Sequence, residues 1–123
     1  MTDFLFSSQR CFRLWLYTVS HRTLLLRSVK GKGATTRVDI IFKPVSQLRL
    51  PTELDGIRVR AVLPSGATPE VTALLEKCGP DEKLYSLSGD NLDGWVMAGM
   101  VAWHEDEGDY GDPSHFSVPR MVW

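Results

Sequence analysis

Apolar and polar residues alternate through most of the first half of this 123-residue chain, and a period of two admits strands and little else. In residues 11–19, Phe12, Leu14 and Leu16 alternate with Arg13, Trp15 and Tyr17. After the polar break Ser20-His21-Arg22, Leu24-Leu25-Leu26 opens a second strand running to about Val29. Thr36 to Lys43 puts Val38, Ile40 and Phe42 on one face and Arg37, Asp39 and Lys43 on the other. Pro44 cannot donate to a ladder, so it is expected to end that strand or mark an edge. Leu48 and Leu50 flank Arg49 in a short fourth strand that Pro51 stops. Asp55-Gly56 is a turn signal, and Ile57, Val59 and Ala61 then alternate with Arg58 and Arg60 in a fifth strand. Connections this short favour neighbouring antiparallel strands.

The second half changes character. Thr68-Pro69-Glu70 reads as an N-cap, a proline at the first helical position and an acid in the first turn. Val71, Leu74, Leu75 and Cys78 follow at helical spacing, and Gly79-Pro80 ends the run. Leu84 to Leu87 suggests a short strand and Trp95 to Trp103 a buried one, with a loop from His104 to about Phe116. These patterns specify an α+β domain: a strongly twisted antiparallel meander of about five to seven strands, open or partly closed, with one packed helix. It is a single domain over 1–123, with a basic β-meander over 1–62 and the helix, further strands and acidic loop over 63–123. The expected core is Phe12, Leu14, Leu16, Leu24, Leu26, Val38, Ile40, Phe42, Leu48, Leu50, Ile57, Val59, Val71, Leu74, Leu75, Val96 and Val101. Trp95 and Trp103, eight apart in one strand, are expected to share a core-facing side.

Charge is divided by position. Residues 1–62 hold eleven Lys/Arg and four Asp/Glu, a formal +7; residues 63–123 hold three and eleven, a formal −8. Such a division calls for a basic surface, an acidic surface, or halves that neutralise each other on folding. Alternation predicts that Arg13, Trp15, Tyr17, Arg27, Arg37, Lys43, Arg49, Arg58 and Arg60 share the sheet surface opposite the apolar one. A basic face carrying aromatics has the ingredients for single-stranded nucleic acid, yet arginines on an exposed antiparallel face commonly serve only solubility and edge protection. The acidic segment can also fold across this face.

The residues capable of chemistry are few. His104, Glu105, Asp109, Asp112 and His115 form the densest set of metal-ligand types, although their order lacks the Asp/Asn alternation and closing Glu of a helix-loop-helix calcium site. His104 beside Glu105 is also the one candidate acid–base pair for a small hydrolase. The run Lys30-Gly31-Lys32-Gly33-Ala34-Thr35-Thr36 lacks both the upstream glycine and the following helix of a phosphate loop. Neither Ser65-Gly66 nor Ser88-Gly89 has the glycine spacing of a nucleophile elbow. Nothing in the sequence calls for a cofactor. Two cysteines, Cys11 and Cys78, make no disulfide framework and read as buried thiols, with a single bridge left open. Asp3, Arg10 and Arg13 spoil an export signal, and no stretch approaches the roughly 18 apolar residues of a membrane span. A cytoplasmic location is expected. Val118, Met121, Val122 and Trp123 make an apolar C-terminus that must dock on its own sheet or on a second copy.

The stretch Val38-Asp39-Ile40-Ile41-Phe42-Lys43-Pro44-Val45-Ser46-Gln47-Leu48-Arg49-Leu50 resembles a pattern in small bacterial β-rich proteins, immunity proteins of polymorphic toxin systems among them. It shares an apolar strand ending in Phe, a Val three residues on, and alternating leucines. The resemblance covers about a tenth of the chain and implies a toxin-binding partner without catalysis. The expected function is therefore a non-enzymatic protein-interaction module that uses complementary charge to bind another protein or a second copy of itself.

Overall fold

The computed structural model describes residues 4–31, 33–91, 93–109, 114 and 116. Six antiparallel strands close into a barrel in the order β1-β2-β3-β6-β5-β4, and one short helix lies outside it. The strands are β1 (Phe4–Thr18), β2 (Thr23–Ser28), β3 (Arg37–Arg49), β4 (Glu53–Ala61), β5 (Lys83–Ser88) and β6 (Asp93–Asp106), with α1 (Pro69–Glu76) between β4 and β5. β1–β2–β3 and β4–β5–β6 thus form two three-stranded meanders that join along β3–β6 and β1–β4.

The barrel interior is the core. Phe12, Leu24, Leu26, Val38, Ile40, Phe42, Leu54, Ile57, Val59, Leu87 and Val96 are buried there, and Leu14, Leu48, Leu50 and Val101 pack against them as expected. Phe42 and Tyr85 meet edge-on across it, their ring centroids 5.7 Å apart. The outer side of β2 and β3 is also buried: the cross-strand partners Leu25 and Ile41 are each 2% exposed. Gly89 is fixed by crowding where β5 ends, since a Cβ there would run into the carbonyl oxygen of Gly56 and lie 2.9 Å from that of Asp55.

Several sequence expectations are corrected, each for a local reason. Leu16 and Tyr17 exchange faces because the β1–β2 register shifts between Leu14 and Leu16; Tyr17 packs on the core and Leu16 is outside the core cluster. The third and fourth expected strands are one, with Pro44 inside β3. Proline is tolerated there because pairing with β2 stops at Phe42, leaving that stretch of β3 laddered mainly to β6. Opposite Pro44 stands Gly99, whose added Cβ would lie 2.8 Å from Pro44 Cδ. Around this pair both strands change facing: Phe42 and Val45, and their partners Val101 and Ala98, all reach the core although three residues apart. Trp95 and Trp103 consequently fall on opposite faces. Trp103 packs on Phe6 at 5.4 Å between centroids, while Trp95 points outward.

The helix forms as its sequence dictates. Thr68 Oγ1 accepts a hydrogen bond from Val71 N–H at 3.2 Å, and Pro69 occupies the first turn. None of its residues is buried, so Val71, Leu74 and Leu75 are not core residues. A closed barrel fills its own interior, and the helix rests outside against β5. The loop expected from His104 begins three residues later, because His104, Glu105 and Asp106 continue β6 opposite Asp39, Val38 and Arg37. Cys11 and Cys78 are not joined in a disulfide, and neither is buried: Cys78 is half-buried, while Cys11 is exposed and its thiol donates to Asp55 Oδ1 at 3.3 Å. Among the described residues no helix is long and apolar enough to cross a membrane.

Candidate binding groove

Two arginine populations emerge from one alternation pattern. Along β2 and the first part of β3, opposite the acidic end of β6, the cations are matched. Arg27 Nε and Nη2 donate to Asp39 Oδ1 and Oδ2 at 2.7 and 3.1 Å, with the side chains only 3% and 2% exposed. The Trp15 ring covers this guanidinium at 5.1 Å. Arg37 grips Asp106 through Nε and Nη2 at 3.1 and 3.0 Å and the Asp109 carbonyl through Nη1 at 3.1 Å. These bonds hold the Asp106 carboxyl below its ordinary range, helped by Gly108 N–H. Arg10 crosses the end of the barrel, donating to Ser28 Oγ, Thr36 Oγ1 and Thr36 O, and Thr36 Oγ1 in turn donates to Glu105 at 2.6 Å. Lys30 meets Asp109 at 3.2 Å, and Arg13 lies 3.8 Å from Glu53. Folding has therefore set part of the positive half directly against the negative one.

The outer face of β4 differs. Arg58 and Arg60 project from it and are exposed. Cross-strand register places Phe4, Arg60, Ser86, Trp95 and Arg49 in one row over five strands, and Ser7, Arg58, Ser88 and Asp93 in the next. Arg58 lies 6.0 Å from the Phe4 ring. Among the described residues no carboxylate comes within ion-pair distance of Arg49, Arg58 or Arg60. Above the rows, α1 and the loop before it stand off the sheet and leave a groove of about 600 Å³. Val71, Leu74, Leu84, Leu5 and Trp95 supply its apolar lining, and Arg60, Ser86 and Asp93 its polar groups. Leu63 at the groove is 65% exposed. A volume of this size suits a ligand or the anchor side chains of a partner.

No protein-family model, no curated protein and no solved structure matches this chain.

The nine residues expected on a single basic face therefore have different fates. Arg49, Arg58 and Arg60 stand exposed at or beside the groove, and Lys43 is exposed on β3. Arg13 is exposed beside Glu53, Trp15 is half-buried on Arg27, Arg27 and Arg37 are buried in ion pairs, and Tyr17 packs on the core. Of the metal-ligand candidates, His104 sits 4.0 Å from Asp106 and edge-on to Phe116, Glu105 faces Arg10, and Asp109 faces Lys30. Asp112 and His115 lie outside the described residues, as do Val118, Met121, Val122 and Trp123. Among the described residues no three His, Cys, Asp or Glu side chains form a metal-sized cluster. Sequence reasoning missed Leu5, Leu63, Leu84 and Asp93 as groove residues and assigned Val71, Leu74 and Trp95 to the core. The available signal was an amphipathic helix placed beside a strand pattern that already supplies enough apolar residues to fill a barrel.

Proposed function

We propose that this chain is a non-enzymatic protein-interaction module, immunity-like in role, whose binding surface is the groove between α1 and the outer face of β4, β5 and β6. One observation carries the reading: Arg60 lines a largely apolar groove, Arg58 stands one row away, and neither has a carboxylate partner among the described residues. Cations beside unfilled apolar area favour steered encounter followed by anchorage. In the candidate acid–base pair His104–Glu105, the Glu105 carboxylate already accepts from Thr36 Oγ1 and lies 3.9 Å from Arg10. Both Asp106 oxygens already accept hydrogen bonds from Arg37, which makes the carboxylate beside His104 a poor proton acceptor. Self-association through the acidic segment would first have to break the pairs that Glu105, Asp106 and Asp109 make within the chain.

The test compares wild type with Leu74→Glu. No residue of α1 is fully buried and Leu74 is half-buried, so the variant should stay folded with at most a modest fall in unfolding midpoint while losing a partner that wild type retains on an affinity column. Equal retention by both proteins would remove the groove from the mechanism. A second reading follows from Phe4 and Trp95 flanking Arg60 in one row, an arrangement suited to single-stranded nucleic acid. It requires affinity for a random oligonucleotide that falls steeply with salt, measured by fluorescence anisotropy.

A further inference from the structure

We infer that the partner segment docking in the groove is acidic, with carboxylates that meet Arg58 and Arg60 and aliphatic or aromatic anchors that lie on Trp95, Leu74 and Val71. This rests on the interaction reading above and gives it a chemistry.

The argument is one of complementarity. Arg10, Arg13, Arg27, Lys30 and Arg37 each have a carboxylate of the same chain within 4.0 Å. Arg58 and Arg60 have none among the described residues, although they belong to the same strongly positive stretch of sequence. Two residues apart on β4, they project from the same side roughly 7 Å from each other, a spacing that alternate side chains of an extended segment can match. Their cross-strand neighbours Ser7, Ser86 and Ser88 are neutral hydroxyl residues that neither repel an anion nor compete for the guanidinium as a carboxylate would. Asp93 lines the groove but faces Ser88 across the strands and forms no ion pair with either arginine. Guanidinium groups flanked by apolar surface favour bidentate carboxylate partners, while a lysine-bearing segment would meet like charge. The apolar side is equally open. Val71 and Leu74 come from a helix with no buried residue, and Trp95 presents a large half-buried ring.

The experiment is selection from a random-peptide display library on immobilised wild type, counter-selected on Leu74→Glu, followed by calorimetric titration of the enriched peptides. Peptides that depend on Leu74 should combine Asp or Glu with Leu, Phe, Tyr or Trp. Against Arg58→Gln/Arg60→Gln they should bind about tenfold or more weakly, and selection on Arg58→Glu/Arg60→Glu should favour basic peptides instead. Leu74-dependent peptides that are neutral or basic, or whose affinity ignores the arginine substitutions, would overturn the acidic chemistry and leave the groove reading standing. If no enriched peptide depends on Leu74, the groove reading falls and this inference falls with it.

Discussion

Arg27 and Arg60 both project outward from antiparallel strands of the basic stretch, yet they meet opposite circumstances. On the β2–β3–β6 side, Arg27 and Arg37 are 3% and 2% exposed and clasp carboxylates with two hydrogen bonds each. On the β4–β5 side, Arg58 and Arg60 stand in the open beside apolar surface, with no carboxylate in ion-pair reach among the described residues. Burial makes the first group obligatory, because a buried guanidinium without its partner is severely destabilising. Exposure makes the second group dispensable for folding, so a role for it has to be sought outside the chain. A count of positive charge alone cannot separate the two; the location of the acids does.

The sharpest way to break this contrast is Asp39→Ala. It removes the carboxylate that the buried Arg27 clasps and should cost about 3–5 kcal/mol in urea denaturation, whereas Arg27→Met with Asp39→Leu should recover most of the loss. A single-variant cost near zero would show the pair to be no more structural than Arg58. Asp106→Asn, which weakens the grip of Arg37, should cost less, about 1–3 kcal/mol by the same measurement. Gly108→Ala acts on the same grip, since its Cβ would lie 2.6 Å from the Arg37 guanidinium.

The pH dependence sharpens the contrast further. The Arg37 guanidinium holds the folded-state pKa of Asp106 below the ordinary carboxylate value, so the stability this group contributes is fully present above that ordinary value. It is lost as pH falls through the lower folded pKa. Glu82, lowered by the Ser46 side chain and Gly79 N–H, adds to the same acid limb. Stability measured from pH 6 downward should therefore decline below about pH 4, and Asp106→Asn should make that decline shallower. The smallest effect belongs to the other side: Arg58→Gln with Arg60→Gln should change stability by no more than about 0.5 kcal/mol. A large loss there would mean that those arginines hold the barrel together after all.

The strands were legible because their alternation is local. The side each residue faces was legible only until the chain slipped. One bulge near Leu14 exchanged Leu16 and Tyr17, and the Pro44–Gly99 crossing reversed the sense of Trp95 relative to Trp103. Period-two patterns carry no mark of such shifts, since one extra residue inverts everything beyond it. The helix was correct in place and incorrect in role: its spacing announces an apolar stripe but not the surface that stripe will meet. Arg27 and Asp39 read as solvent-facing because burial of the outer face of β2 and β3 depends on tertiary neighbours. The groove was invisible for a similar reason. It is assembled from β1, β4, β5, β6, α1 and the connecting loop, and no short stretch of sequence contains it.

Closure of the ring has a consequence for how this molecule can be recognised. Every strand has a hydrogen-bonding neighbour on both sides over part of its length, so an incoming chain could continue the sheet only along the overhangs, such as residues 45–49 of β3 past its β2 pairing and residues 99–106 of β6 past its β5 pairing. Recognition by strand addition, and the aggregation that shares its geometry, are confined to those short stretches. Over the rest of the ring a visitor reads the relief and charge of side chains, which ties specificity to a few substitutable positions and lets the binding preference change while the barrel stays as it is.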